Sequence, residues 1–277
     1  MVGPSYLEGQ DRHRVIGDLT LEETWPCLLE ILAHARKDIL HAFPSPTSRE
    51  RTEGWFADQE QRLREIGHAL GPAASLVDLY GAWMKDSLPG IPCSLTSRIF
   101  DLRSMDPASD VLLSRFLQDP DGMRSLYNAA LDETADSLNR LSARRGELPF
   151  FLVWRAGGHM FRSSLSLSGN ELHSGDFSWK LKETASGPRL PVAAMREAGV
   201  VAVVGKALLL VTQVRLLTGR ALVLPYRGSA YMPAAHRLVR KMQERSLIPA
   251  EIPPVVRVRL RFLDRLAESR ELVRIPP

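Results

Sequence analysis

The chain has 277 residues, 44% hydrophobic and 25% charged, with two cysteines and a formal net charge of +4. That length carries one large core or two small ones, and the composition is ordinary for a soluble globular protein. Cys27 and Cys93 are too few for a disulfide framework, which favours a reducing compartment, the cytoplasm. The first 18 residues contain acids and no apolar run, so they are not read as a secretory signal. The best membrane candidate, 200–217, is interrupted by Lys206, Gln213 and Arg215, so no membrane partner is expected. No internal repeat or low-complexity segment is visible.

Charge is distributed unevenly. Residues 205–277 hold 14 Lys and Arg against 5 Asp and Glu, whereas residues 1–204 hold 22 against 27. A C-terminal quarter at +9 beside a remainder at −5 attracts an anion: a small anionic metabolite, nucleic acid or an acidic protein surface. The plainer reading is a basic face folded against the acidic N-terminal part.

In chain order, Thr20 and Glu23 form a capping box ahead of a helix reaching about Ala42. Pro26 argues for a break or a first-turn position, with the main helix beyond it. Leu28, Leu29, Leu32, Ala35, Ile39 and Leu40 supply its apolar face. "PSPTSRE" reads as a turn-rich linker, followed by helices near 52–70 and 75–88. "CSLTSRIF", 93–100, is a short strand or an extended connector. "SDVLLSRFL" and "GMRSLYNAALDETADSLNRLSARR" read as helices, with Leu126, Ala130, Thr134 and Leu138 along one stripe of the second.

At Pro149 the pattern changes. Strand-like runs at 148–155 and 159–169 are joined by Gly157-Gly158, a hairpin signal, and a third strand is expected within 171–181. Helices near 190–199 and 206–218, a strand "ALVL" and a helix at 233–246 follow. At 255–262, Val256, Val258, Leu260 and Phe262 alternate with arginines, as in a half-buried strand. A helix running on through "LDRLAESRELV" is a rival reading. The order predicts an α/β protein with a helical region at 1–90, a helical connector at 91–147, and an α/β region at 148–277 with a β-rich insert and a basic end.

Candidate chemistry is sparse. "GVVAVVGKA" is not a phosphate loop: five residues separate its glycines and Ala207, not a hydroxyl, follows Lys206. His159, His173 and Asp176 match no metal-ligand spacing, and no metal is expected. Cys27 reads as a core residue and Cys93 lacks a partner motif, so neither is taken as a nucleophile. The turn after "ALVL" is better placed. Gly228 and Ser229 follow a strand and precede a helix, where free backbone N–H groups and the helix dipole favour an anion. Tyr226, Arg227, Gly228, Ser229 and Tyr231 are the candidate ligand-binding residues, with Arg227 as the charged contact.

"DPDGMRSLYNAALDETADSLNR", "LPFFLVWR", "GKALLLVTQVRLLTGRALVLPYRGSAYMP" and "EIPPVVRVRL", in that order, resemble the C-terminal half of the bacterial cysteine-adding ligases of bacillithiol synthesis and their looser relatives. The resemblance spans about residues 90–262 and rests on order and spacing. It implies a Rossmann-like core with helical additions and a ligase that forms a C–N bond between cysteine and a glucosaminyl-malate acceptor. Tyr226 and Gly228 fall on the family's Gly-rich loop, whose acid is replaced here by Met232. Nothing in 1–90 corresponds to that family's N-terminal half, which implies either a shortened relative or a partner protein supplying the missing half. No cofactor is indicated. The alternative is a non-catalytic module binding a partner protein or nucleic acid through its basic end.

Overall fold

The computed structural model describes residues 14–43, 45–87, 100, 102, 110–134, 138–225 and 230–258, which fall into two compact units divided between residues 95 and 96. The first unit is helical. Helices α1 (Leu21–Ala42), α2 (Pro46–Leu70) and α3 (Leu76–Ser87) gather Leu19, Leu21, Leu28, Leu63, Leu76 and Leu79 into one small core. The capping box forms as expected, with Thr20 accepting from the Glu23 amide and the Glu23 carboxylate accepting from the Thr20 amide at 3.0 Å. Buried Arg14 reinforces it, reaching Glu23 at 2.9 Å and Asp18 at 3.3 Å.

Pro26 does not break α1. The helix starts at Leu21 and runs through it. A proline there removes one helical bond and crowds a carbonyl one turn back. Tertiary bonds hold the turn ahead of it: the Leu21 amide donates to Ala74 O at 2.8 Å and the Glu22 amide to Pro72 O at 3.1 Å. The "PSPTSRE" stretch is likewise partly helical, because Pro46 sits in the first turn of α2, where its missing N–H costs nothing.

In the second unit, β1 (Glu147–Ala156), β2 (His159–Ser168), β3 (Glu171–Ser174), β4 (Phe177–Lys180) and β7 (Val200–Gly205) form one sheet in the order β4-β3-β2-β1-β7. Gly157 and Gly158 make the β1–β2 turn with φ of 56° and 85°, values that suit glycine. Strands β5 (Lys182–Thr184) and β6 (Gly187–Arg189) form a separate small hairpin. Helices α4 (Val111–Gln118), α5 (Pro120–Thr134), α6 (Val192–Glu197), α7 (Ala207–Thr218) and α8 (Met232–Glu244) share one core with the sheet. The final pair, β8 (Leu222–Pro225) and β9 (Val255–Val258), is parallel.

Three features differ from the expected arrangement. The β-rich stretch is no insert: β1 lies between β2 and β7, so it shares a sheet with the strand that follows it in the α/β part. The described part of the connector is no linker either. Leu112, Leu113, Phe116, Met123, Leu126 and Leu131 of α4 and α5 are buried in the main core, since such apolar stripes must be covered. The five-stranded sheet is antiparallel throughout, and parallel pairing among the described residues is confined to β8 and β9. A doubly wound sheet is therefore not what carries this core. Helix α5 ends at Thr134, and Leu138 packs on the core from beyond it. No described helix is long and apolar enough to cross a membrane; 200–217 divides into β7 and α7.

Candidate functional site

Strand β8, helix α8 and strand β9 make a parallel strand–helix–strand unit, with Leu222, Val223, Leu224 and Pro225 opposite Val255, Val256, Arg257 and Val258. The connection from the C-terminal end of β8 into α8 contains the predicted turn. In open α/β units ligands gather at such an end, beside a helix N-terminus. Tyr226, Arg227, Gly228 and Ser229 lie outside the described residues. Tyr231 is described. It is the N-cap of α8, its side chain makes no capping bond, and its ring is half-buried against the main core. Part of the ring packs on that core and part stays exposed. Pro233 falls in the first turn of α8.

Arg215 and Arg257 lie near the first half of α8. His236, on its second turn, has its pKa lowered by partial burial, then by Arg215 and by Arg257. Arg215 is 4% exposed and donates to Pro253 O at 2.9 Å and Val211 O at 3.1 Å. Burial without a described carboxylate lowers its pKa too. Farther along α8, Arg237 and Lys241 both bind Glu133 of α5, whose carboxyl they hold below its usual range, first through Lys241. Part of the basic quarter is thus folded against an acid from the N-terminal side.

A buried polar relay lies at the N-terminal half of α7. Gln213 accepts from the Gly205 amide at 2.7 Å and donates to Asp110, which in turn caps α4 by accepting from the Leu113 amide at 3.1 Å. Burial raises the pKa of Asp110. These bonds tie β7, α7 and α4 together, and their polar groups are satisfied, as buried groups must be.

Lys206 follows β7 directly and is the N-cap of α7. It wraps no phosphate loop. Its Nζ turns instead over the face of the sheet opposite the core, donating to Ser164 Oγ at 3.0 Å and standing 4.9 Å from the centre of the Phe151 ring. Arg162 stands 5.2 Å from the same ring. The register explains the meeting: Phe151 is directly opposite both Ser164 and Val204, and Val153 is opposite both Arg162 and Ala202. Sequence reading missed this cluster. The available signal was "RSSLSLS", where Arg162, Ser164, Ser166 and Ser168 alternate on one face.

Other candidates remain apart. His159 is exposed, His173 sits on β3 opposite Ser178, and Asp176 is in the β3–β4 turn. No group of three metal-ligating side chains occurs among the described residues. Cys27 is half-buried on α1, and Cys93 lies outside the described residues. In the helical unit a cleft of about 1320 Å³ runs between the second half of α1 and the first half of α2, floored by Leu29, Leu32 and Phe56. Its rim carries both signs, including Arg36, Arg64, Glu53 and Glu60.

Comparison with protein-family models, with curated proteins and with solved structures finds no match.

Proposed function

We propose that the protein binds a small anionic metabolite at the C-terminal end of β8, in the turn that leads into α8. The observation that carries this reading is the end of β8 itself, which leads towards the N-terminus of α8 and whose parallel register sets Arg257 of β9 opposite Leu224. The parallel β8–α8–β9 unit supplies the matching geometry and is the one Rossmann-like piece of the reading. Arg227 is the direct contact and Gly228 allows close approach of the backbone. The ligase chemistry implied by the resemblance belongs to this proposal in a subordinate place: an acceptor of the malate type would bring the carboxylates that this end attracts. A partner supplying a second half belongs with that chemistry.

The rival reading, a basic surface for nucleic acid, is weakened by the internal use of its charges. Arg237 and Lys241 are held by Glu133, and Arg215 is buried on backbone carbonyls. A diffuse electrostatic interface needs such groups free to neutralise phosphates.

Thermal unfolding with malate and with sulfate tests the proposal, because a ligand specific for the native state stabilises it increasingly as its concentration exceeds its Kd. Both Arg227→Ala and Gly228→Val are expected to lose the malate-dependent rise in Tm, the former without loss of stability in the absence of ligand. Equal stabilisation of wild type and Arg227→Ala would remove the site.

A further inference from the structure

The open face of the sheet gathers Lys206, Arg162 and Ser164 around Phe151, with no carboxylate paired to either cation among the described residues. Lys206 is half-buried, and burial lowers its pKa even though Glu147 acts in the other direction. Glu147 is already engaged, accepting from the Ser142 amide at 2.8 Å and pairing with Arg145 at 2.9 Å. Among the described residues Lys206 has no ion pair, and its single hydrogen bond goes to Ser164. Since Ser164 Oγ accepts that bond, its own O–H remains to donate elsewhere. Arg162, two residues earlier on the same strand face, likewise has no ion pair among the described residues. Two like charges therefore gather over one Phe151 ring, which attracts each of them but neutralises neither.

We propose that this face carries a second ligand site, for the phosphate group of a small soluble phosphate monoester, formed by Lys206, Arg162 and Ser164 around Phe151. Chemistry selects the class. Arg162 and Lys206 can only donate, and Ser164 can donate through its O–H. The two cations match the nearly double negative charge of a phosphate monoester at neutral pH better than the single charge of a carboxylate. Arg162 presents a planar fork of N–H groups suited to two phosphate oxygens, Lys206 a point charge, and Ser164 a neutral donor beside Lys206. The site is distinct from the turn into α8 and does not depend on it.

The test is thermal unfolding of the full chain carrying Arg227→Ala, so that the turn into α8 contributes nothing. Inorganic phosphate is compared with sodium chloride and sodium acetate at matched ionic strength. Phosphate is expected to raise Tm above both controls. Adding Lys206→Gln or Arg162→Gln is expected to weaken the apparent phosphate affinity about tenfold, the loss of one charge-assisted contact, and Ser164→Ala about threefold. Arg162 is exposed, so its variant keeps the fold and the reading open should Lys206→Gln be unstable. Absence of a phosphate response in the Arg227→Ala protein overturns this site whatever becomes of the other. So does an unchanged response in Arg162→Gln, or equal stabilisation by acetate.

Discussion

Each end of α7 holds a cation withdrawn from water, and the two are treated in opposite ways. Arg215, near the C-terminal end, gives its N–H groups to the carbonyls of Val211 and Pro253, in line with the negative end of the helix dipole. Lys206, at the N-terminal end, stands where that dipole is positive and has one hydroxyl and an aromatic ring for company. The first cation joins α7 to the segment entering β9 and is structural. The second stands at the positive end of its own helix and shares the Phe151 ring with another cation, an arrangement that a negative group would stabilise further. The helical unit shows a third treatment: Arg14 is buried too, but between Asp18 and Glu23. Surrounding chemistry, more than burial, separates a cation that builds the fold from one that waits for a ligand.

Removing each cation sharpens this contrast. Arg215→Met should have the largest effect, destabilising the protein by about 2–4 kcal/mol, because it strips charge-assisted bonds from buried carbonyls. Denaturant unfolding measures it, and a cost near zero would erase the distinction between the two ends of α7. The Arg14 pair should show itself through pH. Its bond to Glu23, with help from the Thr20 amide, lowers that carboxyl from 4.5 to about 2. A depressed acid stabilises the folded state above its unfolded pKa, so the helical unit should lose stability as pH falls from 4.5 towards about 2. Glu23→Gln should cost about 1 kcal/mol at neutral pH through the damaged cap and flatten that acid limb. Acid titrations followed by circular dichroism check both. The smallest effect is expected at Lys206. Without a ligand, Lys206→Met should change stability by less than about 0.5 kcal/mol, since removing an unpaired, partly desolvated charge offsets the lost contacts. A large loss in chemical denaturation would make Lys206 structural, like Arg215.

Much of the local structure was legible because its causes are local. The Thr20–Glu23 box, the Gly157-Gly158 hairpin, the strand around "ALVL" and the helix after it each follow from a few neighbouring side chains. Pro26 was misleading, since what holds the turn before it comes from Pro72 and Ala74, some fifty residues away. Asp110 gave no sign of its role either. Its carboxylate caps α4, but its partner Gln213 arrives only when α7 packs beside it. Of the proposed turn, sequence located the strand and the helix around it; that the ring of Tyr231 packs partly on the core follows only from folding.

The sequence by itself located most of the helices and the β1–β2 hairpin, showed which faces are apolar and that positive charge gathers at the C-terminal end, but it did not announce β5, β6 or β7. Periodicity, capping and turn chemistry act over a few residues and can be read in one dimension. Only the tertiary structure decided that β1 pairs with β7, that Glu133 takes up Arg237 and Lys241, and that Phe151, Arg162, Ser164 and Lys206 share one face. Strand register and electrostatic pairing depend on distances between groups remote in sequence. A chain's charge pattern gives the sign of its field, whereas the neighbours brought by folding decide which charges remain to act.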